Sequence, residues 1–283
     1  ISFVKIAINT LGPSKLKAGI GNYVVNLVHE LARIDKKNQY SILANEDNAQ
    51  HFRIANKNFT TLIMPAYTKN RLLRVLWEQF NLPKFLKKHN VDILHSPGFV
   101  APLKRTTKNV VTIHDMTFFS HPEHHTRWKR KYFQYLIPKS AWNADRIIAD
   151  SDNTKKEIMK YLGTNPARIT TIHLGVGKEF TQGDKKKSKL FLRKKYDIKD
   201  QFILFVGTIE PRKNLSRLVD AFLHVRKPGL KLVLVGEKGW NMQAFFKTIK
   251  ELRLQSEVIF TGYVPDDDLV QFYRAAEIFV YPS

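Results

Sequence analysis

Phe202-Ile203-Leu204-Phe205-Val206-Gly207-Thr208-Ile209-Glu210-Pro211-Arg212-Lys213-Asn214-Leu215 passes from a short apolar run, through a loop carrying a glycine, a proline and two adjacent cations, into a helical pattern that continues to Val225. Five apolar residues closed by a glycine have the length of a buried strand, and the step from strand to loop to helix is the building block of a parallel sheet. In open α/β sheets the loop after such a strand lies at the carboxyl edge, where ligands bind. Lys213 can offer a point charge to a diphosphate and Arg212 a planar fork, a pair suited to stabilising a phosphate leaving group. The plainer alternative is an exposed basic loop in a basic protein.

Working outward from this stretch, the same alternation recurs on both sides. Downstream come a strand at Lys231–Val235, a helix at Met242–Leu254, a strand at Val258–Phe260, a helix at Asp267–Ala276 and a strand at Ile278–Tyr281. Upstream, strands at Val4–Ile8, Tyr40–Leu43, Ile93–His95, Val110–Ile113, Arg146–Ala149 and Ile169–Ile172 alternate with helices at Asn22–Arg33, around Leu72–Lys88 and at Thr154–Leu162. Between the two series, Gln182–Lys195 carries Lys185, Lys186, Lys187, Lys189, Arg193, Lys194 and Lys195 with few apolar residues, which reads as a linker running into a solvated helix. The expectation is therefore an α/β chain of two Rossmann-like domains with parallel sheets facing across a cleft. Residues 1–181 form the first, 182–200 a basic linker with the start of the second, and 201–283 the second. Its four strands fall short of the five or six usual in a doubly wound sheet, so the chain reads as cut before that domain ends.

The 283 residues, 43% of them hydrophobic, suffice for a sizeable core. There is no cysteine, which rules out disulfides and thiolate metal sites and suits a reducing compartment. The opening residues lack the pattern of a signal peptide, and no apolar run is long enough to span a bilayer. The expected location is cytoplasmic. A net charge of +22 predicts attraction to polyanions without choosing among nucleic acid, anionic lipid and phosphorylated substrate.

Further signals sit at strand ends. Ala18-Gly19-Ile20-Gly21-Asn22-Tyr23 lies between the first strand and first helix, where glycines let backbone N–H groups approach a phosphate, although such a turn can also serve packing alone. His114-Asp115 follows the strand Val110–Ile113, so the pair stands at the sheet's carboxyl edge, where ligands bind; His95, His121 and His173 are less well placed. No His and carboxylate spacing suggests zinc, and there is no Asp-x-Asp motif, so no metal is expected. Asp266-Asp267-Asp268 starts a helix and favours its dipole, while Thr154-Lys155-Lys156-Glu157 fits a capping box beside Ser151. Two basic and aromatic stretches, Arg71–Trp77 with Lys87-Lys88 and Arg127–Phe133, fit either an anionic membrane surface or ordinary helices with a buried stripe.

Gly207–Leu215 resembles the Gly-x-x-x-x-Pro-Arg-Lys-Asn/Gly loop of glycosyltransferase family 4. The resemblance extends through Gly19–Leu31, Val111–Asp115, Ala144–Glu157 and Val258–Ser283, nearly the whole chain. It implies a GT-B enzyme that transfers a hexose, of mannosyl or glucosyl type, with retention, from a UDP- or GDP-linked sugar. The implied acceptor is a glycan or lipid-linked molecule in polysaccharide or cell-envelope biosynthesis, and no cofactor beyond the donor is implied. By the same resemblance Lys213 contacts the donor diphosphate, Gly19 lies beside the β-phosphate and His114 faces the transferred sugar. Tyr263 and Val264 belong to the turn that holds the nucleotide base. Gly207, Thr208 and Arg212 complete the donor set, with Thr208 standing where the family often has arginine. The family's Glu-x7-Glu motif is expected immediately after Ser283. Two other readings stay open: a basic binding protein for nucleic acid or anionic membrane, which no nucleic-acid motif supports, and a degenerate transferase.

Overall fold

The computed structural model describes residues 3–12, 19–239 and 242–283. Ala18 of the glycine motif lies outside them. The chain forms two compact units, Ile1–Leu174 and Gly175–Ser283, so the division falls earlier than residue 181.

The first unit is built on seven strands: β1 Lys5–Asn9, β2 Gln39–Ala44, β3 Phe59–Ile63, β4 Ile93–Ser96, β5 Lys108–Ile113, β6 Arg146–Ala149 and β7 Ile169–Thr171. They lie in the order β3-β2-β1-β4-β5-β6-β7, and every adjacent pair is parallel. The helices are α1 Ile20–Ile34, α2 Glu46–Ala49, α3 Arg71–Leu76, α4 Leu82–Lys88, α5 Thr117–Ser120, α6 Arg127–Asn143 and α7 Asp152–Leu162. Successive side chains of a strand point to opposite faces, and β1 supplies both. Ile8 packs with Val24, Val28 and Ile42 under α1, whereas Ala7 packs with Trp77, just past α3, and with Leu82 and Leu86 of α4. The order reverses between β1 and β4: the chain runs from β1 through β2 to β3 on one side, then crosses back to β4 on the other side of β1. This is the topological switch at which α/β proteins bind ligands.

β3 has no counterpart in the sequence reading. Phe59-Thr60-Thr61-Leu62-Ile63 is an edge strand with only Phe59 buried, so it lacks the continuous apolar run that marks the central strands. The helix read around Leu72–Lys88 is broken into α3, a π-helical turn at Trp77–Asn81 and α4. Pro83 supplies a reason, since its ring would crowd the carbonyl of Gln79 in a regular helix. At α7 the capping box is displaced. Ser151, not Thr154, is the N-cap, its hydroxyl accepting from the Thr154 amide at 3.0 Å. Thr154 is buried and donates its own hydroxyl to the His114 carbonyl at 3.1 Å.

The second unit repeats the plan on β8 Gln201–Val206, β9 Leu230–Val235, β10 Val258–Gly262 and β11 Ile278–Phe279, with α8 Lys185–Tyr196, α9 Leu215–Val225, α10 Gln243–Glu251 and α11 Asp266–Ala275. The order β10-β9-β8-β11 is all parallel and places the switch at β8 and β11. Most of the stretch read as linker and solvated helix is α8, docked on α11 through polar contacts. Tyr196 donates to Asp268 at 2.5 Å, Lys195 pairs with Asp268 at 2.6 Å, and Lys185 and Lys189 each reach Glu277 at 2.8 Å. The acidic run does begin α11, but its third member is buried against α8 and does more than complement the helix dipole.

Candidate functional site

In the second unit, β8 ends at Val206 and the chain turns through Gly207 with φ 153°. Gly236 after β9 and Gly262 ending β10 also have positive φ, 143° and 72°. Gly207, Gly236 and Gly262 thus lie at neighbouring strand ends. The Gly207 amide donates to Val235 at 2.8 Å and the Gly236 amide to Gly262 at 2.9 Å. A Cβ on Gly236 would overlap the carbonyl of Gly207, so this approach demands glycine. The loop is held further by Ile209, whose amide donates to Glu237 at 2.9 Å and whose carbonyl accepts from Gly239 at 2.9 Å.

Pro211–Lys213 then forms one 3-10 turn before Asn214, left-handed at φ 55°, starts α9. The turn sends its two cations to different places. Arg212 is exposed, and its Nε donates to the buried carboxylate of Glu210. Lys213 is only 7% exposed; its Nζ donates to the Tyr281 hydroxyl and lies 4.5 Å from the centre of that ring. Tyr281 follows β11 and stacks on Phe205 at 5.7 Å, with the rings within 9° of parallel. Among the described residues no carboxylate pairs with Lys213. A desolvated ammonium held by a neutral phenol, at a switch point, keeps an electrostatic demand that an anion can meet. Thr208 is exposed at the start of the loop, Tyr263 is half-exposed just past β10, and the side chain of Val264 is buried in the core.

In the first unit the sequence-predicted histidine sits within a network. β5 and β6 pair Ile113 with Ala149, so the next residues, His114 and Asp150, emerge side by side. His114 Nδ1 is 2.6 Å from Asp150 Oδ2, and Nε2 is 2.8 Å from the carbonyl of Pro97, just past β4. Tyr23 from α1 and Phe99 meet the imidazole in T-shaped contacts at 5.0 and 5.3 Å. Tyr23 also shares a hydrogen bond with Thr112 at 3.2 Å, and Thr112 in turn with His95 at 2.9 Å. Burial, with the charge of His114 adding, pushes the His95 imidazole down to about 4, whereas burial raises the Tyr23 phenol. Both ring nitrogens of His114 already face protein atoms, so a sugar hydroxyl could reach one only by displacing Asp150 or the Pro97 carbonyl. Asp115 is also engaged: its Oδ1 accepts from the Thr117 amide at 3.0 Å and the Thr117 hydroxyl at 2.7 Å. Gly19 precedes α1 with φ 41°, no side chain among the described residues caps that helix, and a Cβ on Gly19 would meet nothing within 4 Å.

Two family descriptions match in succession. Glycosyltransferase Family 4 covers residues 18–180 and Glycosyl transferases group 1 covers residues 188–283. The chain belongs to glycosyltransferase family 4. O-antigen chain mannosyltransferase B of Escherichia coli is 28% identical to this glycosyltransferase over 287 residues, an alignment covering 94% of this chain and 72% of that relative. Among solved structures, Anabaena HepE in complex with UDP and glucose aligns with a TM-score of 0.68 at 16% identity, covering 98% of this chain and 74% of that one. WaaG, a glycosyltransferase involved in lipopolysaccharide biosynthesis, aligns at 0.69 with 15% identity, covering 99% and 75%. At these identities the two structures establish the fold, two Rossmann-like units of the GT-B kind.

Several residues of the glycosyltransferase that frame these sites escaped the sequence reading. Tyr281 and Asp150 lie 68 and 36 residues from their partners, and no local pattern joins them. Asn9, ending β1 at the first unit's switch, donates to Glu78 at 3.0 Å, and burial raises the Glu78 carboxyl. Gly236 was more accessible to sequence reasoning, because a glycine directly after the run Leu232–Val235 repeats the pattern of Gly207.

Proposed function

We propose that this glycosyltransferase moves a hexose from a nucleoside-diphosphate sugar to a glycan or lipid-linked acceptor with retention of configuration, and that Lys213 binds the donor diphosphate. The buried ammonium at the second unit's switch is the observation that carries the reading. When the bond between the anomeric carbon and the β-phosphate oxygen breaks, negative charge gathers on the departing diphosphate, and a fixed ammonium in a partly dry site stabilises it. Gly207, Gly236 and Gly262 keep that floor free of side chains. Thr208 offers a hydroxyl beside it, and the exposed edge of Arg212 adds positive potential although Glu210 engages its Nε. Tyr263 and the backbone at Val264 are assigned to the nucleotide base. In the first unit, the amides after Gly19 contribute anion-binding capacity, and His114 with Asp115 borders the sugar. The donor, UDP- or GDP-linked, is the only small molecule besides the acceptor that this reading requires. The mannosyltransferase relative and the UDP complex of HepE support this donor class.

An anionic membrane surface is part of the same reading. Leu72 on α3, Phe80 in the π-helical turn after it, and Trp128 on α6 are 76%, 66% and 86% exposed. Arg71 lies 5.9 Å over the ring of Tyr132, so α3 and the start of α6 are neighbours, and their exposed cations include Arg71, Arg127, Lys129 and Lys131. Large apolar groups amid cations suit a headgroup layer. Among the described residues no helix is long and apolar enough to cross a membrane.

The direct test is incubation of the protein with UDP-, GDP- and ADP-sugars and oligosaccharide or lipid-linked acceptors, with the product linkage read by NMR. Transfer giving the donor's anomeric configuration is expected. Nucleotide release without transfer, or an inverted product, overturns the reaction as stated.

A further inference from the structure

Asp150 lies within the stretch Ala144–Glu157 but was given no role by the sequence reading, yet its carboxylate makes the shortest polar contact to His114. We propose that Asp150 is a positioning residue that keeps the His114 ring protonated at both nitrogens, and that sugar transfer, not nucleotide binding, depends on it. The proposal rests on the transferase reading above.

The hydrogen-bond geometry fixes the protons. A carbonyl oxygen only accepts, so Nε2, 2.8 Å from Pro97 O, must carry hydrogen. At 2.6 Å, Nδ1 and Asp150 Oδ2 must also share a proton. The pair therefore holds two protons, either as imidazolium against carboxylate or as imidazole against carboxylic acid. Ordinary proton affinities favour the first, since an imidazole binds a proton more tightly than a carboxylate does.

Placement is fixed as well as charge. Tyr23 and Phe99 fence the ring, Thr154 holds the His114 carbonyl at 3.1 Å, and the charged or titratable groups facing it are Asp150, Tyr23 and His95. The ring cannot turn without giving up two hydrogen bonds. A positively charged, immobile group at the carboxyl edge of β5 is therefore a property of the His114–Asp150 pair and not of the histidine alone.

Asp150→Asn separates charge from shape. An amide at this position can donate to Nδ1, so the ring needs only its Nε2 proton and becomes neutral with its place unchanged. For Asp150→Asn we expect kcat to fall at least about tenfold while the calorimetric Kd for UDP or GDP stays within about twofold. Nitrogen-15 NMR of the His114 ring at neutral pH should show both nitrogens protonated in the natural protein and one unprotonated in the variant. A variant with unchanged kcat, or a natural protein with one unprotonated His114 nitrogen, overturns the proposal. Should the natural protein transfer no sugar, the enzymatic reading fails by itself and the NMR result still decides the pairing. The NMR measurement on the natural protein also decides it if the variant does not fold.

Discussion

Removing an ammonium from water costs several kcal/mol unless something nearby offsets it, and at Lys213 that offset comes from one phenol. The arrangement makes Tyr281 a stand-in acceptor. Tyr281→Phe keeps the stack on Phe205 and the ring beneath Nζ while deleting the oxygen. Its expected effect is a loss of about 1 kcal/mol in urea unfolding with diphosphate affinity held or raised, since an anion no longer competes for the ammonium. Equal stability of variant and parent would show that the hydroxyl holds nothing. The sequence revealed the lysine because a loop after an apolar strand is a local pattern. It could not reveal the phenol, or Asp150 beside His114, because those contacts are made by strands that become neighbours only in the folded sheet. At His114 the position after β5 was legible, but the engagement of both its nitrogens was not.

Elements with a strong period were the legible ones. α1 buries Gly21, Val24, Val28 and Ala32 along one stripe, and β9 is almost wholly buried, so both declare themselves in composition. β3 and the π-helical turn did not, the first for want of burial and the second because a local widening leaves the apolar spacing nearly intact. The glycine tier at the ends of β8, β9 and β10 gives a sharp expectation. Gly236→Ala would force a methyl onto the Gly207 carbonyl at an unfavourable φ, and no rotamer relieves a Cβ clash. A loss of about 1–3 kcal/mol from backbone strain alone should appear in thermal unfolding. An unchanged midpoint would mean that the strand ends have more room than this packing allows. The neighbouring helices α3 and α6 carry their own expectation. Phosphatidylglycerol vesicles should sediment with the protein, phosphatidylcholine vesicles should not, and Leu72→Ser with Trp128→Ser should weaken the association. Binding that ignores lipid charge or added salt would remove the electrostatic component.

Across the whole molecule, the excess of 47 Lys and Arg over 25 Asp and Glu gives the +22 that composition alone reads as polyanion attraction. The fold apportions part of it. Some cations pin α8 to α11, one is buried beneath Tyr281, and others surround exposed apolar groups on the first unit. Charge also couples stability to acidity. His95 is neutral when folded because its proton affinity is pushed down to about 4, whereas an unfolded histidine protonates near 6.5. Between these values the unfolded chain binds the extra proton, so the stabilisation present above about pH 6.5 is lost as pH falls towards 4, on the order of 3 kcal/mol in all. His95→Gln should flatten that part of the urea-midpoint profile against pH, and a profile identical to the parent's would assign the acid sensitivity elsewhere.

The central claim is that the buried ammonium of the second unit is where the donor's diphosphate binds, and calorimetric titration of UDP and GDP into the natural protein and Lys213→Ala tests it most directly. One nucleotide should bind the natural protein in a salt-sensitive manner, with the variant weaker by about 1.5–3 kcal/mol, roughly 10- to 100-fold. Equal affinity for both proteins would contradict the account.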